Sequence, residues 1–535
     1  MQIITVVPTF VGTTVAFIAI KQYLYKEQTV STMNKKGLLL LGTAMMGGAV
    51  AAQEKPNIIV VLCDDLGYGD VGCYGQPYIK TPNLDRMACE GMRFTQAYCG
   101  CPVSAPSRCS LMTGQHCGHT EVRGNKEYWS GSVKYGNNDD YAVAGQHPYD
   151  TAHINIPQIM KDNGYTTGMF GKWAAGHEKS NYTPDKRGID EYYGYICQFQ
   201  AHLHYPNFLN RYSKSRGDTA TIRVTLDENI KHPMHGDEYK KRPQYAADII
   251  HREAMQWIES QSSEKPFFGL LTYTLPHAEL AQPDDSLMQY YRTIFKEEKS
   301  YGGDRWSRYN PTKEAHAQFA AMVTRLDAYM GEILALLERK GMSENTLVLF
   351  TSDNGPHAEG GADPAFFGKN NELRGIKRSM HEGGIRVPFI AYWKGRIAAG
   401  TTTDHQCAFY DLMPTFCELA GIKEYEAKYR AQGSTNHFDG ISIAPTLLGN
   451  SDAQKLHEHL YWEFSGQNSI AVRQGDWKLV VNKGECSLYN LHFDWHEDID
   501  IANIYPEKVA ELIDIVHKEH VENPIFPVTL PSKKQ

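Results

Sequence analysis

Four side chains with oxygen donors follow directly on two apolar segments of this 535-residue sequence. Asp64 and Asp65 end the segment "NIIVVLCDD", and Asp353 and Asn354 follow "NTLVLFTS". Carboxylate and amide oxygens suit the hard cations Ca²⁺ and Mg²⁺, whereas zinc sites favour histidine and cysteine. The pattern therefore indicates an oxygen-only metal site. Three carboxylates around a divalent ion leave one excess negative charge, which nearby cations can offset.

Two lysines and a histidine are candidates to join this site. Lys172 lies near the end of "TTGMFGKW", His277 ends "PFFGLLTYTLPH", and Lys377 precedes "IRVPFIAYW". A single polar strand ending is usually a turn residue or a helix cap. Here four apolar segments, over 57–65, 166–173, 266–277 and 345–355, end in polar groups. They indicate one shared site, because ligands of open α/β sheets bind beyond the carboxyl ends of the strands.

The stretch "CGCPVSAPSRCSLMTG" (99–114) predicts the start of a helix, with Ser104 as its N-cap and Pro106 in the first turn. A helix N-terminus offers free amides and a positive dipole end, which favour an anion. In isolation this pattern indicates a capped helix. Beside a metal site and the cationic Arg108, it indicates an anion-binding site that includes Ser104.

The elements that must position these residues alternate apolar strands with helical patterns, which predicts an α/β fold. Amphipathic spacing predicts helices over 245–260 and 316–341, the second ending at Gly341. From about residue 455 the pattern changes to short antiparallel strands and a closing helix over 506–523. We therefore predict a large α/β domain over 53–455 and a smaller C-terminal subdomain over 456–535.

Six segments in this order resemble the type I sulfatases of the alkaline phosphatase superfamily: "NIIVVLCDDLGYGD", "VSAPSRCSLMTG", "GMFGKW", "LPH", "LFTSDNG" and "LRGIKRSMHEGGIRVPFI". They cover about residues 55–395, and in combination they are highly specific. The resemblance implies hydrolysis of sulfuric esters. It also implies a large, mixed, mostly parallel sheet between helices, with an antiparallel sheet in the C-terminal α+β subdomain.

In this family the first residue of the motif C/S-x-P-x-R is oxidised to formylglycine, and Ser104 holds that position here. The resemblance therefore implies a formylglycine-generating maturation enzyme as a partner. An unmodified serine with no adjacent base is a poor nucleophile. The hydrated aldehyde is a gem-diol, so one hydroxyl can attack sulfur while the other remains to expel sulfate.

The resemblance also implies a role for each candidate residue. Arg108 steadies the cluster, and Lys172 and Lys377 hold the sulfate oxygens and stabilise the transition state. His277 protonates the leaving oxygen, alone or with Lys377. The implied Ca²⁺ ligands are Asp64, Asp65, Ser104, Asp353 and Asn354.

One position departs from the family pattern. The family often has "GKWHLG", in which the histidine contacts the formylglycine, whereas this chain has "GKWAAGH" with Ala174 at that position. His177, a histidine from elsewhere or metal-bound solvent are the alternatives for the missing base.

Substrate contacts are expected in two segments rich in polar and aromatic residues. "CQFQAHLHYPNFLNRY" (197–212) and "TGQHCGHTEVRGN" (113–125) follow the motifs that contain Lys172 and Ser104. Packing or surface roles are equally compatible with each candidate. The candidates for sugar contacts are His202, His204 and Asn125, with Asn207, His119 and Arg123 as further possibilities.

The composition limits the partners of the chain. A net charge of −8 argues against a nucleic-acid partner and against tight binding of long polyanions. We therefore expect short, terminal sulfated sugars as substrates. The 11 cysteines have no zinc spacing, and we expect buried thiols with one or two disulfides.

The N-terminal region predicts export. Residues 33–52 combine lysines, an apolar stretch and an Ala-x-Ala ending at Ala51, as in a secretory signal peptide. We expect translation to start at Met33, and the protein to be periplasmic in a Gram-negative bacterium without a stable membrane anchor. An anchor formed by residues 3–20 is the alternative.

Three functions compete at this point. A glycan sulfatase agrees with all the motifs. A phosphomonoesterase or phosphodiesterase of the same superfamily is the second, although the two-zinc forms need further Asp and His ligands. A non-catalytic glycan-binding relative is the third, because of Ala174.

Overall fold

A computed structural model describes residues 55–129, 144–234, 239, 241–297, 300–303, 309–368 and 372–533 of the chain. The predicted targeting region 1–52 lies outside the described residues. Within the described part, no helix combines the length and apolar character that crossing a membrane requires.

A ten-stranded mixed sheet forms the centre of the fold. Across the sheet the order is β13 (Thr401–Thr403), β2 (Met92–Phe94), β12 (Phe389–Tyr392), β11 (Thr346–Ser352), β1 (Asn57–Cys63), β10 (Phe267–Thr272), β6 (Thr166–Lys172), β7 (Glu191–Tyr195), β8 (Phe208–Ser213) and β9 (Ile222–Thr225). Neighbouring strands pair in parallel from β11 through β1, β10 and β6 to β7, and again between β13 and β2, while the other pairs are antiparallel. The predicted mixed, mostly parallel central sheet is therefore confirmed.

Both faces of this sheet are buried. Along β1, Ile58 and Val60 join one hydrophobic core, whereas Ile59 and Val61 join the core on the other face. A strand that is apolar on both faces is expected in the middle of a parallel sheet covered by helices. The sequence of β1 is therefore continuously apolar because both faces of the strand pack against a hydrophobic core.

The two long helices predicted from the sequence are confirmed, since the helices Ala246–Ser260 and Ala315–Arg339 match 245–260 and 316–341 within two residues. The described helices are α1 (Pro82–Glu90), α2 (Ser104–Thr113), α3 (Ile156–Asp162), α4 (Ala246–Ser260), α5 (Ser286–Ile294), α6 (Ala315–Arg339), α7 (Glu382–Ile385), α8 (Leu412–Leu419), α9 (Tyr425–Ala431), α10 (Ala444–Leu447) and α11 (Pro506–Glu519).

The C-terminal part contains the predicted antiparallel sheet and closing helix. Four strands, β15 to β18, pair in sequence, and α11 covers one face of their sheet through Leu512 and Ile513. The other face joins the core of the large sheet, where Trp462 Nε1 donates to the carbonyl of Cys99 at 2.8 Å. The boundary at residue 455 stays a prediction. The strands are β15 (Leu460–Phe464), β16 (Ser469–Gln474), β17 (Trp477–Asn482) and β18 (Glu485–Asn490).

Two small strand pairs complete the fold: β3 (Ala97–Tyr98) with β14 (Cys407–Ala408), and β4 (Glu127–Trp129) with β5 (Ala144–Gln146). All 11 cysteines are unpaired thiols in this structure, and most are buried. The structure therefore contains none of the expected disulfides.

Candidate active site

Four neighbouring strands deliver the predicted site residues to one edge of the sheet. Strands β11, β1, β10 and β6 lie side by side and run parallel, so their carboxyl ends coincide. Asp64 and Asp65 follow β1, and Asp353 and Asn354 follow β11. Lys172 is the last residue of β6, and His277 lies in the loop after β10. The predicted convergence of strand ends thus brings these side chains together.

Ser104 lies at the start of α2, but it is not the N-cap that the sequence predicted. Val103 is the N-cap, with extended backbone angles, and Ser104 is the first helical residue. Its hydroxyl makes no capping bond and instead donates to Asp64 Oδ1 at 3.0 Å. Asn354 Oδ1 lies 3.4 Å from the same hydroxyl. The helix therefore presents Ser104 to the acidic cluster.

Each carboxylate of the cluster is paired with a cation from another element. Lys172 Nζ donates to Asp64 Oδ2 at 2.7 Å, and Lys377 Nζ donates to Asp65 Oδ2 at 2.7 Å. The guanidinium of Arg108 donates to Asp353 Oδ2 through Nε at 2.9 Å, and its Nη2 lies 2.8 Å from the same oxygen as an ion pair. All six side chains are nearly or fully buried, so these ion pairs are screened weakly by solvent.

Burial shifts the titration of this cluster. It raises the pKa of Asp353 to about 6, and the neighbouring charge of Asp64 adds to the shift. Burial also opposes ionisation of Asp64, but the surrounding positive charges, of which Lys172 has the largest effect, together outweigh burial and hold the pKa of Asp64 well below its usual range. Burial lowers the pKa of Lys172, although the charge of Asp64 opposes this change.

The donor set fits a hard divalent cation. Oxygens at right angles on one Ca²⁺ lie about 3.4 Å apart, given Ca–O bonds of about 2.3–2.6 Å. Ser104 Oγ lies 3.0 and 3.4 Å from oxygens of Asp64 and Asn354, which is close to that separation. Asp65 joins them, because Asn354 Nδ2 donates to its Oδ1 at 2.6 Å. Asp64, Asp65, Ser104 and Asn354 therefore form a compact group in which oxygen donors predominate.

His277 and Lys377 form a second pair at the edge of this cluster. His277 Nδ1 donates to the carbonyl of Ala278, so Nε2 accepts the hydrogen bond from Lys377 Nζ at 3.0 Å. Burial and the charge of Lys377 hold the pKa of His277 well below its usual range. Burial lowers the pKa of Lys377, but the charges of Asp65 and Glu359 together overcome burial and raise it. In this arrangement the lysine carries the proton and the imidazole is its acceptor.

The sequence missed one charged group in contact with this pair. Glu359 follows β11 in the glycine-containing loop "DNGPHAEGG", and its Oε2 accepts from Lys377 Nζ at 3.3 Å. The hydroxyl of Tyr309 donates to the same oxygen at 2.8 Å. The available sequence signal was the position of Glu359 six residues after Asp353 on the same strand-end loop.

A sequence profile described as "Sulfatase" matches residues 56–422, which is more than half of the chain. The chain belongs to the sulfatase family. A second profile, described as "N-sulphoglucosamine sulphohydrolase, C-terminal", matches residues 376–524. The predicted family and enzyme class are thereby confirmed.

Individual relatives agree with this assignment. N-acetylgalactosamine-6-sulfatase of Canis lupus familiaris is 31% identical, over 82% of this chain and 74% of its own. N-acetylgalactosamine-6-O-sulfatase of Bacteroides thetaiotaomicron is 27% identical, over 86% and 93%. The crystal structure of Ps i-CgsB in complex with k-i-k-neocarrahexaose is 29% identical and has a TM-score of 0.65, covering 87% and 92%.

Two of the predicted sugar contacts lie at the margin of this sulfatase site. His202 is half-buried and stacks on the ring of His277, with centroids 4.5 Å apart. Asn125 is exposed, and its Oδ1 accepts from the backbone N–H of Ala105 at 3.3 Å, next to Ser104. Both positions adjoin groups of the active site, and the sugar contacts themselves stay predictions.

The remaining candidates make contacts of other kinds. His204 is fully buried, and its Nε2 contacts the carbonyl of His277 at 3.1 Å, so any effect on substrate would act through His277. Asn207 is also buried. Arg123 pairs with Glu463 at 2.5 Å in the C-terminal part, and His119 pairs with Asp439 at 2.9 Å.

Ala174 is buried, and the hydroxyl of Ser104 hydrogen-bonds to no histidine of the described residues. His177, the nearest alternative in sequence, stacks on Tyr128 with centroids 4.1 Å apart. It also forms a backbone bridge with Gly145. The structure therefore holds His177 in other contacts and does not place it on Ser104.

Proposed function

We propose that this sulfatase hydrolyses the sulfate ester of a sulfated mono- or oligosaccharide, with Ser104 converted to formylglycine and with Ca²⁺ held by the acidic cluster. The observation that carries this proposal is the position of Ser104 Oγ, which lies 3.0 Å from Asp64 and 3.4 Å from Asn354. Each carboxylate of this cluster is paired with a lysine or an arginine. The names of the relatives support sulfated sugars as the substrate class.

The proposed ligands are Asp64, Asp65, Ser104, Asp353 and Asn354. The bound cation would polarise a sulfate oxygen, and the hydrated aldehyde would supply the nucleophile. Because each carboxylate already has a cationic partner, a divalent ion makes the centre positive by two charges. That excess charge favours an anionic sulfate ester over a neutral ligand. Lys172 and Lys377 then stabilise the negative charge that develops on the sulfate oxygens.

His277 and Lys377 form the proposed acid. The leaving sugar oxygen takes its proton from His277 Nε2, and Lys377 Nζ supplies that proton to the histidine across their hydrogen bond of 3.0 Å. His202 and Asn125 are proposed to contact the sugar from the margin of the site. Ala174 leaves the family's usual base position without a proton acceptor, and we expect turnover to persist in spite of it.

The expected cellular setting follows from the same proposal. Residues 33–52 would direct the sulfatase to the periplasm of a Gram-negative bacterium, where short, terminal sulfated sugars are its expected substrates. A serine precursor at position 104 implies an oxygen-independent maturation enzyme, as in anaerobic bacteria.

A direct test measures which anion the protein releases from sulfate and phosphate esters, after mass spectrometry has confirmed formylglycine at residue 104. Protein purified from its native host should release inorganic sulfate from at least one of a panel of 6-O- and 4-O-sulfated galactose, N-acetylgalactosamine and carrageenan oligosaccharides. The matching phosphate esters serve as controls. Preferential release of phosphate, or release of neither anion despite confirmed formylglycine and calcium, would contradict the proposed function.

The acid role of His277 has its own expected result. His277→Ala should lower kcat on a sugar sulfate by about 10²–10⁴-fold, the usual size of general-acid catalysis. The loss should be much smaller on an aryl sulfate, because an acidic phenol needs little protonation as it leaves. Steady-state kinetics on both esters check this, and equal losses would remove His277 from the acid role.

A further inference from the structure

Glu359 contacts the proposed acid but has no part in the function assigned so far. Its Oε2 lies 3.3 Å from Lys377 Nζ and 3.9 Å from His277 Nε2. Its Oε1 forms an ion pair with Arg378 Nη1 at 2.6 Å. The side chain is 20% exposed, so solvent reaches it only in part. Glu359 is therefore a partly buried anion in contact with the group that supplies the proton.

The hydrogen bonds of Lys377 show why such an anion matters. A lysine ammonium has three N–H donors, and here they meet Asp65 at 2.7 Å, His277 at 3.0 Å and Glu359 at 3.3 Å. Asp65 is also assigned to the metal, and His277 is assigned to the leaving oxygen. Glu359 is the acceptor among these three that has no other assigned partner in the reaction.

The position of Glu359 is itself determined by two further donors. The hydroxyl of Tyr309 donates to Oε2 at 2.8 Å, and Arg378 holds Oε1. Arg378 has a φ of 76°, in the left-handed region that few residues other than glycine adopt. The carboxylate is thus held between a buried tyrosine and the residue next to Lys377.

We propose that Glu359 is a positioning residue that keeps Lys377 against His277 Nε2 while the leaving group is protonated. This inference rests on the proposed function. In the step, the nucleophilic hydroxyl oxygen of the hydrated aldehyde at residue 104 bonds to sulfur and its proton leaves to solvent. The bond between sulfur and the sugar oxygen breaks, and the electron pair of that bond stays on the sugar oxygen. The sugar oxygen takes one proton from His277 Nε2, which receives it from the Lys377 ammonium across their hydrogen bond of 3.0 Å. The lysine is left as an amine, and solvent returns its proton before the next turnover.

The test compares two substrates and one matched control. Glu359→Ala should lower kcat on a sugar sulfate by about 10–100-fold, part of the about 10²–10⁴-fold that general-acid catalysis supplies, with KM little changed. On an aryl sulfate with an acidic phenol, the change should stay within about threefold. Glu178→Ala is the control, because that carboxylate is 21% exposed and pairs with Arg223 at 2.7 Å. Glu359→Gln keeps an acceptor oxygen and should recover part of the lost rate.

A double variant separates positioning from general damage. If Glu359 acts through Lys377 and His277, Glu359→Ala should cause little further loss of kcat when His277→Ala is already present. The reason is that the free-energy effects of substitutions at residues in contact do not simply add. Losses that multiply, or that are equal on both esters, would overturn the proposal. Formylglycine occupancy and calcium content are measured in every variant. A wild-type protein that releases sulfate from neither ester would instead contradict the proposed function.

A second variant tests the same proposal if the first does not fold. If Glu359→Ala does not fold, Tyr309→Phe removes one donor to Glu359 while keeping the ring. It should lower kcat on the sugar sulfate less than Glu359→Ala is expected to, with the same selectivity for the poor leaving group. A loss that does not discriminate between the two esters would overturn the proposal in this variant also.

Discussion

Ser104→Ala protein is expected to lose sulfate release on the order of 10⁶-fold, the size of loss when the nucleophile of a hydrolase is removed. The fold should persist, because Asp64 keeps its ion pair with Lys172 at 2.7 Å when the hydroxyl is gone. Ser110→Ala is the matched control: Ser110 lies in the same helix, is fully buried, and its hydroxyl has no hydrogen-bond partner. Sulfate release, measured by ion chromatography, should therefore fall only in the first variant.

The chemical state of Ser104 decides how this loss is interpreted. In active protein from the native host, the peptide that contains Ser104 should be lighter than the serine form by two hydrogen atoms. Unmodified serine in fully active protein would contradict the nucleophile assignment. Inactive protein from an ordinary expression host with unmodified serine agrees with the assignment, because the maturation enzyme is then absent.

Asp353→Asn is expected to remove calcium and nearly all turnover. Asp353 accepts from the backbone N–H of Asp65 at 3.1 Å and from Arg108, so it organises the metal group as well as binding the ion. Changes in groups that only support a ligand usually cost about 10–100-fold in metal affinity, and we expect a larger loss here. Elemental analysis of dialysed protein and kinetics on a sulfated sugar measure the two effects.

The choice of asparagine follows from the burial of this position. Asp353 is fully buried and paired with Arg108, and breaking a buried ion pair from one side costs about 3–5 kcal/mol. Asparagine keeps the volume and still offers Arg108 an oxygen. Asp327→Asn is the control, because Asp327 is buried and accepts from backbone N–H groups of α1. Wild-type protein with stoichiometric zinc and no calcium would contradict the ligand assignment.

The sequence by itself determined which polar side chains stand at the ends of the central strands. Asp64, Asp65, Asp353 and Asn354 stand directly after continuous apolar runs, and such a run is typical of a strand that is buried on both faces of a parallel sheet. The polar residues after parallel strands then lie at one edge whatever the strand order. The S-x-P-x-R motif placed Ser104 at a helix start for an equally local reason. The apolar runs and the helix start are local features, which can be recognised from residues close together in the chain.

Only the tertiary structure decided which side chains touch. The order β11, β1, β10, β6 brings Asp65 and Asn354 into contact although 289 residues separate them. The extended conformation of Val103 made that residue the N-cap and left the hydroxyl of Ser104 to face Asp64.

The loops set the remaining contacts. Glu359 accepts a hydrogen bond from Lys377, whereas His204 is buried with its Nε2 against the carbonyl of His277. Such contacts depend on the paths of loops and on long-range packing. Periodicity and local propensity carry no information about those paths, because they describe only residues close together in the chain.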